Sequence, residues 1–193
     1  MQIKTSVRVN LIRDRFPQEK FQSYAVILYM QGSLSQYALA CAREHVHVHV
    51  PGGCCSGDCE LEGSCSVVLG KLLSNATHLR TLTLSNNYDF LSTPEAVKPI
   101  AHALAVNKSV TSLQLDYCGL DDEGVAALVD GLKQNTTLKE LDLEGNNLTD
   151  YAAKSLLELL AVNKTLNRIE LGESSLLSDE ALRRISAALS GNV

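Results

Sequence analysis

The 193-residue sequence has no tryptophan, nine aromatic residues in all and only four prolines. Its first residues, MQIKTSVRVNLIRDRF, lack the apolar core of a cleaved secretory signal. The longest early apolar run, residues 24–30, is about a third of the ~20 residues needed to span a bilayer. Basic charge is not in excess: 17 Lys and Arg against 22 Asp and Glu give a net charge of −5. Non-specific nucleic-acid binding needs clustered Lys and Arg to displace counterions from phosphates, so the acidic excess argues against that class. There is no P-loop and no G-x-G-x-x-G, and Gly52-Gly53 reads as a turn signal. Without a signal peptide, the six cysteines (41, 54, 55, 59, 65 and 118) read as reduced thiols or metal ligands rather than disulfides. These absences together predict an intracellular, cytoplasmic protein with neither membrane nor nucleic acid as partner.

What is abundant is leucine. Of 32 leucines, 28 follow residue 60. Hydrophobic content of 45% with 20% charge excludes a mostly disordered chain, and the length suits one domain. The leucines repeat. LRTLTLSNN from Leu79, VTSLQLDYCGL from Val110, LKELDLEGNNL from Leu138 and LNRIELGESSL from Leu166 align with starts 31, 28 and 28 residues apart. Each fits L-x-x-L-x-L-x-x-N/C-x-L, with Asn87, Cys118 and Asn146 at the N/C position and Ser174 replacing it in the last. The first copy carries an insertion of about three residues near 88–91. Amphipathic stretches follow over 94–106, 123–133, 151–162 and 179–190. Thr93 before Pro94, Asp121/Asp122, Asp150, and Ser178 before Asp179 supply helix starts. Pro99 inside the first of these should kink or delay that helix. Three of five N-x-S/T sequons, at Asn107, Asn135 and Asn163, are spaced by 28 residues, which marks a structural position rather than a glycan.

These segments resemble the leucine-rich repeat family, in its ribonuclease-inhibitor-type class of 28-residue strand–helix units; similar repeats occur in NLR-type proteins, Ran GTPase-activating proteins and tropomodulins. The resemblance spans residues 64–193 and implies an α/β solenoid, with a curved parallel sheet on the concave face and helices on the convex face. Alternation at Leu141-x-Leu143 sends both leucines inward, while the Asn146 side chain can satisfy turn backbone that has no sheet partner. One unit cannot bury its apolar face, so neighbours must stack. No polar closing repeat follows the last helix, so the last layer should be polar outside, or covered by a partner or by further sequence.

Residues 1–63 read as an irregular N-terminal cap with degenerate repeats and a Cys/Gly-rich insertion, and 64–193 as the repeat domain with about four regular repeats. Residues 64–75 resemble the helix of an earlier repeat, and HVHVHV (45–50), within the cap, its strand. Residues 34–44 suggest a helix, 24–30 a buried strand or helix segment, and 2–12 a weakly alternating strand. On a strand, His47 and His49 share one face ~6.6 Å apart, close enough to reach one metal. Cys54, Cys55 and Cys59 follow, and Zn²⁺ favours such ligands. Against this, C-x4-C and C-x5-C are not standard finger spacings. Cys and His are also the residue types of nucleophilic catalysis, but no recognised family signature accompanies them.

The outward strand positions form columns across the sheet: Thr83, Gln114, Asp142, Glu170; Thr81, Ser112, Glu140, Arg168; and Ser85, Asp116, Glu144, Gly172. They change from hydroxyl and amide to mostly carboxylate toward the C-terminus, with Tyr117 and Glu173 at the rim. This face should bind a protein partner with a basic surface, as part of a larger assembly, with complementarity setting specificity and on-rate. The plain alternative is that exposed strand positions are polar because they meet water. Residues 1–50 carry six basic and three acidic side chains, so the two ends differ in sign. The expected function is a non-enzymatic interaction module or scaffold without cofactor. Alternatives are a Ran GTPase-activating-protein-like regulator, a tropomodulin-like actin-capping factor (NKTL at 163–166 resembles tropomodulin repeats), and a zinc-binding protein.

Overall fold

The computed structural model describes residues 25–29, 45–49, 65–88, 90–172 and 176–192, those up to Cys65 by their backbone. Six parallel strands pair in chain order: β1 (Ala25–Tyr29), β2 (His45–His49), β3 (Thr81–Thr83), β4 (Ser112–Gln114), β5 (Glu140–Asp142) and β6 (Arg168–Glu170). Helices α1 (Cys65–Asn75), α2 (Pro94–Val106), α3 (Asp122–Leu132), α4 (Asp150–Val162) and α5 (Asp179–Ser190) alternate with the later strands. Segment 24–30 thus holds a strand rather than a helix. The expected helix at 34–44, the strand at 2–12 and the insertion at 50–64 lie outside the described residues.

The central residues of the three-residue strands form a continuous row in register, Leu82, Leu113, Leu141 and Ile169, of which the three leucines are fully buried and Ile169 half-buried. Leu84, Leu115 and Leu143 line a second buried row. The helices close the core with Val97, Ile100, Leu104, Val125, Leu128, Leu156 and Leu160. Each fully buried leucine contributes roughly 2–3 kcal/mol of transfer free energy. Strands sit ~4.8 Å apart whereas packed helices need ~8–10 Å, so stacking these units bends the array with the sheet inside.

Polar groups punctuate the units. Thr93, Asp121, Thr149 and Ser178 cap their helices by accepting N–H bonds from Ala96, Gly124, Tyr151 and Ala181. Asp122 and Asp150 are helical, so α3 and α4 start one residue before the amphipathic pattern suggested. α2 begins at Pro94 and runs through Pro99, so the expected delay does not occur. The acceptor that Pro99 leaves without its usual bond is the Glu95 carbonyl, in the exposed first turn where water can serve it. Helices approach closely where side chains are absent: a Cβ on Gly131 would lie 2.1 Å from the Ala101 carbonyl oxygen.

The sequon asparagines are structural. Asn107, Asn135 and Asn163 are buried. Each side-chain amide donates to two carbonyls of the preceding unit: Leu73 and Ala76, Leu104 and Asn107, Leu132 and Asn135. Each Oδ1 accepts two backbone N–H groups just before the next strand: Ser109 and Val110, Thr137 and Leu138, Thr165 and Leu166. A nitrogen so occupied cannot carry a glycan. Asn146 does the same in the strand–helix turn, donating to Leu115, Leu143 and Glu144 carbonyls and accepting from Cys118 and Leu120 N–H.

Candidate protein-interaction face

Strand pairing assembles the expected columns in register. Thr81, Ser112, Glu140 and Arg168 form one row, and Thr83, Gln114, Asp142 and Glu170 the next. Their side chains are intermediate to exposed, opposite the leucine row. Ser85, Asp116, Glu144 and Gly172 follow at the C-terminal ends of the strands.

The two halves of this face differ chemically. On β3 and β4 the polar groups satisfy one another: the Thr83 hydroxyl donates to Gln114 Oε1 at 2.7 Å, and the Ser85 hydroxyl donates to the Asp116 carboxylate. On β5 and β6 the carboxylates crowd. Oxygens of Asp142, Glu144 and Glu170 lie within 4.8 Å of one another. Partial burial pushes the Asp142 carboxyl up; the Glu144 N–H, donating to Asp142 Oδ1 at 3.0 Å, opposes this, while Asp116, Glu170 and Glu144 add repulsion. Arg168 pairs with Glu170 in this half. A recess of about 250 Å³ lies here, lined by Ser112, Gln114, Glu140, Asp142, Arg168 and Glu170. An all-carboxylate donor set is of the hard-oxygen type, suited to Ca²⁺ or Mg²⁺ rather than to a zinc centre.

The rim is aromatic. Tyr117 adopts φ +53° at the turn after β4, and its N–H donates to the Glu144 carbonyl at 2.9 Å. Its ring lies over Gly145, where a Cβ would meet ring carbon at 2.4 Å and where φ is +67°. Gly145 is therefore required twice over, for space and for the left-handed backbone. Tyr88 meets Tyr117 edge to face, centroids 6.1 Å apart, and stays 62% exposed. Tyr88 was not expected at the site. Its signal was its place in the irregular insertion, whose Phe90 and Leu91 are buried while Tyr88 faces out. Also unforeseen is a groove of about 450 Å³ between α2 and α3, floored by Ala101, Ala105, Ala127 and Gly131 and edged by Lys98, His102, Glu123 and Asp130. The small residues were its signal.

Among the other expected residues, Glu173, Cys54, Cys55 and Cys59 lie outside the described residues. His47 and His49 are on β2, where His47 pairs with Ile27 and Thr83 and His49 with Tyr29. Cys118 is a poor nucleophile: burial, with Asp116 and Asp142 nearby and against the bonding at Asn87, pushes its thiol up to about 12. It stands at the asparagine position of its repeat, its Sγ donating to the Leu84 carbonyl at 3.0 Å.

A parallel sheet with one strand and one helix per 28-residue unit, backed by asparagine-closed turns, is a ribonuclease-inhibitor-type leucine-rich repeat solenoid. Within that class, the TMOD/LMOD leucine-rich domain family model matches residues 64–193, and the chain belongs to this family. Among solved structures it is similar to "Leiomodin-1 Actin-Binding Site 2 (ABS2)", with 26% identity and TM-score 0.57 over 70% of this chain and 76% of that one. A tropomodulin C-terminal domain from Caenorhabditis elegans aligns at 17% identity and TM-score 0.44, over 66% of this chain and 93% of that one. No curated protein sequence matches significantly. Among the described residues no helix is long and apolar enough to cross a membrane.

Proposed function

We propose that the chain is a non-enzymatic interaction module of the actin cytoskeleton, acting in the cytoplasm as part of a larger assembly. Its partner is actin, docked through a basic segment on the concave face. The observation that carries this reading is the likeness of the repeat array to the leiomodin-1 actin-binding structure, within a family matched over residues 64–193. The face supports it chemically. Crowded carboxylates of Asp142, Glu144 and Glu170 favour a cationic partner. The Tyr88–Tyr117 ledge offers the rigid aromatic contact area typical of binding hot spots. Thr83, Gln114 and Asp116 contribute a polar flank, the buried Ser85 hydroxyl donating to Asp116, and Glu140 and Arg168 an exposed charged edge.

Actin binding by the full chain tests this, with charge reversal at Glu140→Lys, Asp142→Lys and Glu144→Lys after circular dichroism confirms folding. Binding weakened at least about tenfold is expected. Unchanged binding discards the concave face, and no binding by the parent chain discards actin.

A further inference from the structure

Three of the chain's five histidines stand at alternate positions of a single strand, β2. The register shows which face they share. Val46 pairs with Leu82, so it lies in the core row that continues through Leu113 and Leu141. His45 and His47 pair with Thr81 and Thr83, and so extend the two polar rows of the concave face. His49 lies one pleat further on, in register with Tyr29 of β1. His45, His47 and His49 therefore fall on the concave side of the sheet, opposite the valines of the same strand.

A solvated face does not demand this repetition. The later strands carry no histidine in these rows, using Thr, Ser, Gln, Glu, Asp and Arg instead. The residues in register with the three histidines are Ala25, Ile27, Tyr29, Thr81 and Thr83. None of these is a cation that would repel a metal ion, and none is a carboxylate. Imidazole is thus the donor type this strand offers, which suits Zn²⁺, Co²⁺, Ni²⁺ or Cu²⁺ and not Ca²⁺ or Mg²⁺. Neighbouring histidines are ~6.6 Å apart at Cα, a span that one ion with Zn–N bonds of ~2.0–2.1 Å can bridge. His45 and His49 are ~13 Å apart, too far to close a tight chelate by themselves. The carboxylates of β5 lie three strand spacings away, ~14 Å, so they belong to a different site.

We propose that β2 is a transition-metal site, in which an ion of the Zn²⁺ class is chelated by an adjacent pair of these histidines. The pairs His45–His47 and His47–His49 overlap, so His47 is common to both and the two outer histidines substitute for one another. The remaining positions of a tetrahedral ion stay open to water on the concave side. None of Cys54, Cys55 and Cys59 is needed for this site.

The probe is Co²⁺, titrated into the full chain under reducing conditions and followed by its visible absorption, with Zn²⁺ as competitor. One ion per chain is expected, displaced by Zn²⁺ and showing no thiolate-to-cobalt charge-transfer band in the near ultraviolet. His47→Gln should weaken binding at least about tenfold, because it leaves no adjacent pair. His45→Gln and His49→Gln should each cost only about twofold, the statistical loss of one pair of two. No saturable uptake up to millimolar Co²⁺ overturns the proposal, and so does equal binding by parent and His47→Gln. Outer variants as damaging as His47→Gln overturn the shared pair, and a thiolate band overturns the all-histidine donor set. A second measurement leaves the chain unaltered. Zn²⁺ should shield His47 from carbethoxylation by diethyl pyrocarbonate, mapped by mass spectrometry, while the exposed His78 and His102 react as before. Reaction of His47 unchanged by Zn²⁺ overturns the site even if the His47→Gln variant fails to fold.

Discussion

At the scale of single residues, Asp142 shows how a solenoid concentrates charge that is dilute in sequence. Its neighbours Asp116, Glu144 and Glu170 come from three units, and only parallel stacking brings their carboxylates together. Because its carboxyl is pushed up, mainly by burial, the folded state holds that proton more tightly than the unfolded chain does. The ionised form is thus a liability above the folded titration point, relieved as pH falls through it. Asp142→Asn should raise stability at neutral pH by about 0.5 kcal/mol, a small figure because the group stays partly solvated. The gain should fade on acidification, as thermal melts from pH 7 to pH 4 would show; a gain independent of pH would refute the assignment. Columns such as Thr83–Gln114–Asp142–Glu170 were readable beforehand, because side chains alternate along a strand and the repeat sets the register. The packing of Tyr117 on Gly145, with Tyr88 against it, was not. Those contacts bridge units 28 and 31 residues apart, and Tyr88 sits in the one insertion that breaks the period.

At the scale of elements, the helices were visible from their caps and apolar stripes. Their spacing depends on glycines whose role sequence does not announce. Gly131 lets α3 rest on the backbone of α2, and a methyl group there would sit 2.1 Å from the Ala101 oxygen. Gly131→Ala should therefore cost about 1–3 kcal/mol by forcing the pair apart. Gly191→Ala is the matched control: its Cβ would meet the Ala188 oxygen at 3.5 Å, an ordinary contact, at φ −82°. It should be neutral or stabilise by about 0.4–1 kcal/mol. Urea unfolding of both variants checks the contrast, and equal effects would show that close approach is not limiting. Pro99 carries the complementary lesson. A proline expected to kink or delay α2 is tolerated within it because the acceptor it deprives lies in the exposed first turn.

At the scale of the whole molecule, each described helix packs against its chain neighbours, so burial depends on position in the stack. Leu141 in a central layer is fully buried, whereas Ile169, its counterpart in the last layer, is not. Leu141→Ala should cost about 2–5 kcal/mol. Ile169→Ala should cost less than half as much in the isolated chain, and denaturant midpoints compare them directly. A cost at Ile169 equal to that at Leu141 would mean that the difference in their burial does not govern the energetics.

The sequence by itself determined the repeat, the alternation of strand and helix and the face of each strand that an outward side chain occupies, while the parallel sheet was what the leucine-rich-repeat resemblance implied. The repeat, the alternation and the faces follow from local periodicity and short-range capping, in which a residue's fate depends on neighbours a few positions away. Only the tertiary structure decided that the carboxylates of separate units converge within 4.8 Å, that two tyrosines form a ledge, and that Gly131 brings α3 onto the backbone of α2. These depend on distances between units, which are set by how closely helices and turns pack and leave no signature in the spacing of leucines.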